Sequence, residues 1–430
     1  MSANNFLSEQ VFTKNKHNLH NSNANFPREI ALILQVDFDS DKVQAALKLQ
    51  ELQLLTESAG AEVAEKIIVN RSVANPKFFI GSGKVEEIKI LIAAKNINLL
   101  IVNHNLSPAQ ERNLERELKI RVIDRNALIL DIFAQRAATA DGRLQVELAQ
   151  LQHLSTRLVR GWTHLERQKG GIGLRGPGES QLETDRRLLN QRIIFLKQKL
   201  AKLSKQRRTQ NFSRFDSNKN FAILNVAFIG YTNTGKSTLF NALTKANVYS
   251  ANQLFATLDT TARRLWLADS QSQAIVADTV GFIRDLPHSL INAFHATLEA
   301  TCYADVLLHV IDFSSAMKDA EIKAVNEVLQ EINNDIGSQI PPQILVFNKI
   351  DLAINNERDL QEKLSQNFEN IQNVNLDALD PLIPNVYVSA KQKLGLENLK
   401  LLLAKFALQK MRKNNKNSEN DENADFPREI

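Results

Sequence analysis

An apolar run, FAILNVAFIG (residues 221–230), leads directly into YTNTGKST, so Gly230-x-x-x-x-Gly235-Lys236-Ser237 sits between a strand and a helical pattern. In that context a glycine-rich loop turns successive N–H groups onto phosphates. The candidate phosphate ligands are therefore Gly230, Tyr231, Thr232, Asn233, Thr234, Gly235, Lys236 and Ser237. Lys236 offers a mobile cation to the β and γ phosphates, and Ser237 a hydroxyl to Mg²⁺.

Forty-one residues after Ser237, the strand-like AIVAD ends in Asp278-Thr279-Val280-Gly281. Asp278 is placed to reach Mg²⁺ through water, and Gly281 to present a backbone N–H to a γ-phosphate. ILVFNKID then puts Asn348, Lys349, Ile350 and Asp351 at another strand end. A carboxylate at Asp351 accepts from both the ring N–H and the exocyclic amine of guanine, which selects GTP over ATP. In VYVSAK, the backbone of Ser389, Ala390 and Lys391 is positioned to face the guanine oxygen.

A threonine must supply the second protein ligand to Mg²⁺. Thr257, Thr260 and Thr261 are the candidates in QLFATLDTTAR, and Thr257, twenty residues beyond Ser237, is chosen. Its neighbours Phe255, Ala256, Leu258 and Asp259 are assigned to the same nucleotide-bordering loop. Lys236, Asn233 and Gly281 are the candidate catalytic residues, with Asn233 suited to hold a monovalent cation, K⁺, near the β–γ bridge. Where many GTPases keep a water-orienting glutamine stands Phe282, so intrinsic hydrolysis should be slow and depend on outside help. A second glycine turn, GSGKVEE (residues 81–87), has Val85 where a metal hydroxyl is needed and is not read as a phosphate loop.

These motifs need a scaffold, and the 430 residues suggest two or three domains. With 43% apolar and 23% charged residues the composition is that of a globular protein, and no run approaches the roughly 20 apolar residues of a membrane span. No secretory leader is visible and the single cysteine, Cys302, cannot form an internal disulfide, so a cytoplasmic setting is expected.

Upstream of the phosphate loop, short apolar runs (residues 30–36, 66–70, 98–103 and 120–124) alternate with helical patterns, the arrangement of a small parallel α/β domain. From Leu144 the apolar spacing becomes helical through Leu165, and again from Leu182 to Leu203, with five glycines and a proline between them in KGGIGLRGPGES. The simplest assembly is a helical hairpin with a glycine-rich tip.

The 53 basic and 48 acidic residues are unevenly spread. Residues 151–220 hold 16 basic and 5 acidic side chains, a local +11, which leaves −6 on the rest. An excess this one-sided marks a surface for nucleic acid, and Arg175, Arg186 and Arg187 are its chosen RNA contacts.

The resulting layout is α/β: a polar tail (1–27), an N-terminal α/β domain (28–140), a basic hairpin (141–208), a linker (209–220), a P-loop GTPase domain (221–412) and a polar C-terminal tail (413–430). The octapeptide NANFPREI (residues 23–30) returns as NADFPREI at residues 423–430. It is too short for a repeat architecture.

The motifs and their flanks resemble the HflX family of translational GTPases across residues 28–410. Residues 81–87, 106–115, 129–136, 144–151, 162–187 and 255–263 carry the resemblance outside the nucleotide motifs. It implies a GTPase that binds GTP and GDP with Mg²⁺ and associates with the ribosome, chiefly the large subunit. It also implies rescue or splitting of stalled ribosomes, with the hairpin tip reaching toward the peptidyl-transferase region, and potassium-stimulated hydrolysis at the Asn233 position. The chain is expected to be a monomer without stable membrane insertion. The alternative is a nucleotide-regulated RNA-binding module with incidental hydrolysis. An insert-like stretch, residues 355–385, departs from the pattern.

Overall fold

The computed structural model describes residues 29–161, 177–216, 223–244, 254–255, 261–284, 301, 303–336, 339–354, 356–377 and 383–424. The chain divides into two compact units, residues 1–201 with 287–293, and residues 202–286 with 294–430.

The first unit opens with β1 (Ile30–Asp37), α1 (Lys42–Ser58), β2 (Glu62–Asn70), α2 (Ser82–Lys95), β3 (Leu99–Val102), α3 (Pro108–Leu118), β4 (Arg121–Asp124) and α4 (Arg125–Arg136). The four strands pair in parallel in the order β2-β1-β3-β4. Local chemistry sets the boundaries. Asp41 caps α1 by accepting from the Val43 and Gln44 N–H groups. Ser107 and Gln110 form a reciprocal capping box with Pro108 in the first turn of α3, and Lys119 closes that helix in the left-handed region. One face of the sheet buries Leu32, Leu34, Val36, Leu100, Val102 and Val122 against Ile88 and Leu114.

Helices α5 (Ala140–Gly161) and α6 (Pro177–Asp216) form the two long arms. Leu148 and Leu151 of α5 pack with Leu196 of α6, flanked by Leu144, Ile193 and Leu200, which is the narrow seam the helical spacing demands. The glycine-rich tip lies outside the described residues. Arg157 ties α5 to the sheet: Nη2 lies 2.6 Å from Asp124 Oδ2, Nη1 pairs with Glu111, and Nε donates to His153 Nε2 at 2.8 Å. Burial raises the Asp124 carboxyl above its ordinary range and lowers the His153 ring below its own.

The second unit contains β5 (Leu224–Ile229), α7 (Lys236–Thr244), β6 (Thr261–Leu267), β7 (Ser272–Asp278), β8 (Val306–Asp312), α8 (Lys318–Ile336), β9 (Gln343–Asn348), α9 (Ile350–Ala353), α10 (Glu357–Asn373), β10 (Val386–Tyr387) and α11 (Leu396–Ala424). Its six strands run in the order β10-β9-β8-β5-β7-β6, parallel except for β6 against β7. Val226, Phe228, Leu308, Val310, Ile344 and Val346 pack with Leu239, Phe240, Leu399 and Leu403 on one face. Nearly continuous apolar strands of this kind belong to a sheet covered on both sides.

Two helices run past the bounds that the apolar spacing suggests. The stretch read as a linker from residue 209 is helical to Asp216, and the polar C-terminal tail from 413 is helical to Ala424. Neither stretch contains a glycine or proline, and hydrophilic side chains alone do not end a helix. The insert-like stretch contains α10, whose buried Asn367 takes the Asn385 carbonyl and accepts from the Tyr387 N–H. Among the described residues no helix is long and apolar enough to cross a membrane.

Removing Leu196, which is fully buried, should cost the hairpin about 2–5 kcal/mol. In Leu196→Ala, amide exchange should accelerate in residues 144–151 and 193–200 and stay unchanged in β5 and β8. Unaltered protection in the arms would show that this seam does not hold them.

Candidate nucleotide site

β5, the central strand, delivers Gly230 at its C-terminal end with φ at +145°, and a methyl there would meet the Val310 carbonyl oxygen at 2.2 Å. Gly235 has φ at +91°, and a methyl there would meet Asn348 Nδ2 at 2.3 Å. Only glycine satisfies both conformation and space at these two positions.

Five of the loop's carbonyls have donors in hand. Lys236 Nζ donates to the oxygens of Gly230 (3.0 Å) and Tyr231 (2.7 Å). Lys349 Nζ donates to the Asn233 oxygen at 2.8 Å, and Asn348 Nδ2 to the Thr234 oxygen at 2.8 Å. The Gly235 oxygen accepts from the Leu239 N–H in the first turn of α7. Acceptors held this way leave N–H groups and a helix N-terminus to define the loop's field, which suits an anion. Asn233 itself is left-handed, with φ at +62°.

Lys236 is 6% exposed, and burial lowers its ammonium to about 8, against the opposing pull of Asp278. Ser237 Oγ donates to Asp278 Oδ2 at 2.7 Å, which couples the first residues of α7 to the end of β7. Hydroxyl and carboxylate oxygens together are the hard donor set that Mg²⁺ prefers, so these residues fit the ion. The residue chosen as its second hydroxyl ligand, Thr257, lies outside the described residues, as do Ala256, Leu258 and Asp259. Phe255 is buried and left-handed.

The segment after Asp278 is clipped to the phosphate loop. Thr279 Oγ1 donates to the Phe228 oxygen at 2.6 Å, Phe282 N–H to the Gly230 oxygen at 3.0 Å, and Thr232 N–H to the Phe282 oxygen at 2.7 Å. Val280 is buried, and Gly281 is close enough that a methyl would come within 3.2 Å of Lys236 Nζ. The Phe282 side chain is 2% exposed. It is a core residue that has no polar atom for water.

At the end of β9, Asn348 Oδ1 accepts from the Ala390 N–H at 3.0 Å while its amide nitrogen holds the Thr234 oxygen, so one side chain joins the NKID, SAK and phosphate loops. Ser389 is buried in a short bridge with Leu394, and Lys391 is exposed. Ile350 is buried, and the half-buried Asp351 follows it in the first turn of α9. Of the RNA candidates, Arg186 and Arg187 are exposed on α6, and Arg175 lies outside the described residues, as does Cys302.

Two features were missed in the sequence. Asp312, at the end of β8, holds Lys349 Nζ at 2.7 Å. Its only sequence signal is an acidic residue closing an apolar strand. The bridge between Tyr231 and Phe282 gives no sequence signal, because it is a backbone pairing.

The parallel sheet, donor-lined loop and base-loop tie define a P-loop GTPase, a GTP hydrolase of the class that works with Mg²⁺. Residues 46–134 match the family model described as GTP-binding GTPase N-terminal, residues 136–214 the GTP-binding GTPase Middle Region, and residues 225–349 the 50S ribosome-binding GTPase. The chain is similar to GTPase HflX of Escherichia coli K12, at 52% identity over 345 residues covering 80% of this chain and 78% of that one. It is also similar to GTPase HflX of Caldanaerobacter subterraneus, at 45% identity over 355 residues covering 82% and 75%. A solved structure of a GTP-binding protein from Sulfolobus solfataricus with GDP is 25% identical, covers 89% of this chain and 99% of that one, and has a TM-score of 0.45. The chain belongs to the HflX family of GTPases.

An anionic phosphate beside Lys236 favours its charged form, so binding above pH 8 must take up a proton. Affinity for GDP should be flat up to about pH 8 and then fall, approaching tenfold per pH unit. Fluorescent-GDP titrations from pH 7 to 9 would measure this. A flat profile across that range would remove the lowered ammonium from the account.

Proposed function

We propose that residues 230–237, 255–259, 278–281, 348–351 and 389–391 hold GTP, and that its hydrolysis switches how the first unit engages the large ribosomal subunit. The observation that carries this reading is the loop whose carbonyls are bound by Lys236, Lys349 and Asn348 while Ser237 and Asp278 stand in contact. Lys236 neutralises charge on the β and γ phosphates, and Asp351 selects guanine. Mg²⁺, held by Ser237 and Thr257, supplies further neutralisation of the phosphates. Asn233 would hold K⁺, which would add positive charge for the developing phosphate charge. The buried Phe282 leaves the attacking water to be ordered by an activator.

The basic hairpin, with Arg175, Arg186 and Arg187, contacts ribosomal RNA, and its 16 basic against 5 acidic residues across 151–220 support that reading. The biological outcome is rescue or splitting of stalled ribosomes by a cytoplasmic monomer.

Lys236→Ala should weaken GTP binding by about a hundredfold or more, and Asp351→Asn should lower the GTP/ATP affinity ratio; unchanged values would overturn the site. Steady-state turnover with and without large subunits, in potassium and in sodium, tests the rest. Stimulation by subunits and by potassium is expected. Deletion of residues 169–180 should keep nucleotide binding and lose subunit stimulation, and retained stimulation would remove the tip from the mechanism.

A further inference from the structure

Lys349 makes an unusual demand on the chain. Its backbone is left-handed, with φ at +62°, a conformation that a non-glycine residue adopts only where its surroundings hold it there. From there its ammonium spans to the Asn233 oxygen at 2.8 Å. A lysine side chain is flexible, and one carbonyl does not fix it.

The second anchor is Asp312. Its Oδ2 meets the Lys349 ammonium at 2.7 Å, and both side chains are largely shielded, at 18% and 25% exposure. Asp312 is itself held, because its Oδ1 accepts from Ser314 N–H at 3.0 Å and from Ser314 Oγ at 2.6 Å. The next residue closes the arrangement: Phe313 N–H donates to the Asn348 oxygen at 2.9 Å. The turn after β8 thus grips two successive residues of the NKID loop, Asn348 through the backbone and Lys349 through charge.

We infer that Asp312 is a positioning residue for guanine nucleotide recognition: it fixes Lys349 across the phosphate loop, so that the base-reading and phosphate-reading loops keep one spacing. It touches no nucleotide in this account and acts only through Lys349. The inference rests on the nucleotide site proposed above.

The test is a double-mutant cycle on dissociation of fluorescent GDP from the full chain. Asp312→Ala and Lys349→Met should each speed dissociation by about tenfold, the scale of losing one charge-assisted hydrogen bond. The double variant should be no faster than the more affected single one. In turnover, Asp312→Ala should raise KM with kcat within about twofold of the parent. Asp312→Asn keeps an acceptor of the same size, so it should recover most of the slow dissociation; Asp312→Val, which has no acceptor, supplies the cycle if the alanine variant does not fold. Multiplying effects in the double variant, unchanged dissociation in the alanine or valine variant while Lys349→Met is fast, or dissociation from Asp312→Asn as fast as from a variant with no acceptor, would overturn the inference. Absence of fluorescent-GDP binding by the parent chain would instead overturn the nucleotide site.

Discussion

A phosphate-binding loop works only if its carbonyl oxygens are kept away from the anion, and in this chain five of them are held by partners both adjacent to the loop and far along the chain. Gly230 and Tyr231 give theirs to Lys236, Asn233 to Lys349, Thr234 to Asn348 and Gly235 to the first turn of α7. Two partners come from more than a hundred residues downstream, from the NKID loop. The phosphate loop therefore acquires its electrostatic sign from the folded sheet, since a peptide of the same sequence would lack the Asn348 and Lys349 donors.

Asn348 is the hinge of that arrangement. Its amide donates to one loop and accepts from another, which an aspartate of equal size could not do, because an ionised carboxylate has no N–H to give. Gly235 leaves the space this amide occupies. The consequence runs back to β9: the strand's buried residues Ile344 and Val346 fix where Asn348 emerges, so packing on one face of the sheet sets geometry at its edge.

Much of this was legible in the sequence. The strands after Glu29 follow from short apolar runs between polar helices, and the motif glycines announce themselves because backbone conformation and close approach admit no side chain. The seam of the arms follows from the spacing of Leu148, Leu151 and Leu196. What was not legible depended on partners without local pattern. Asp312 matters only because β8 and β9 are neighbours, and Phe282 joins Tyr231 through backbone groups that every residue has. The overrun of α6 to Asp216 and of α11 to Ala424 was missed because polarity was read as a stop signal, whereas helices end for want of N–H groups, at strained turns or at caps.

The cluster around Arg157 carries a different consequence. Its charges meet in the interior, with Asp124 1% exposed and Arg157 16% exposed, whereas Arg186 and Arg187 face solvent. Counter-ions in solution screen the second group within about 8–10 Å at ordinary ionic strength and scarcely reach the first. Rising salt will therefore loosen any hold these exposed arginines have on a polyanion while the root of the arm stays fastened to its sheet. A contact made through those exposed charges would thus be lost without disturbing the arm's own anchoring, and could form again as the salt falls.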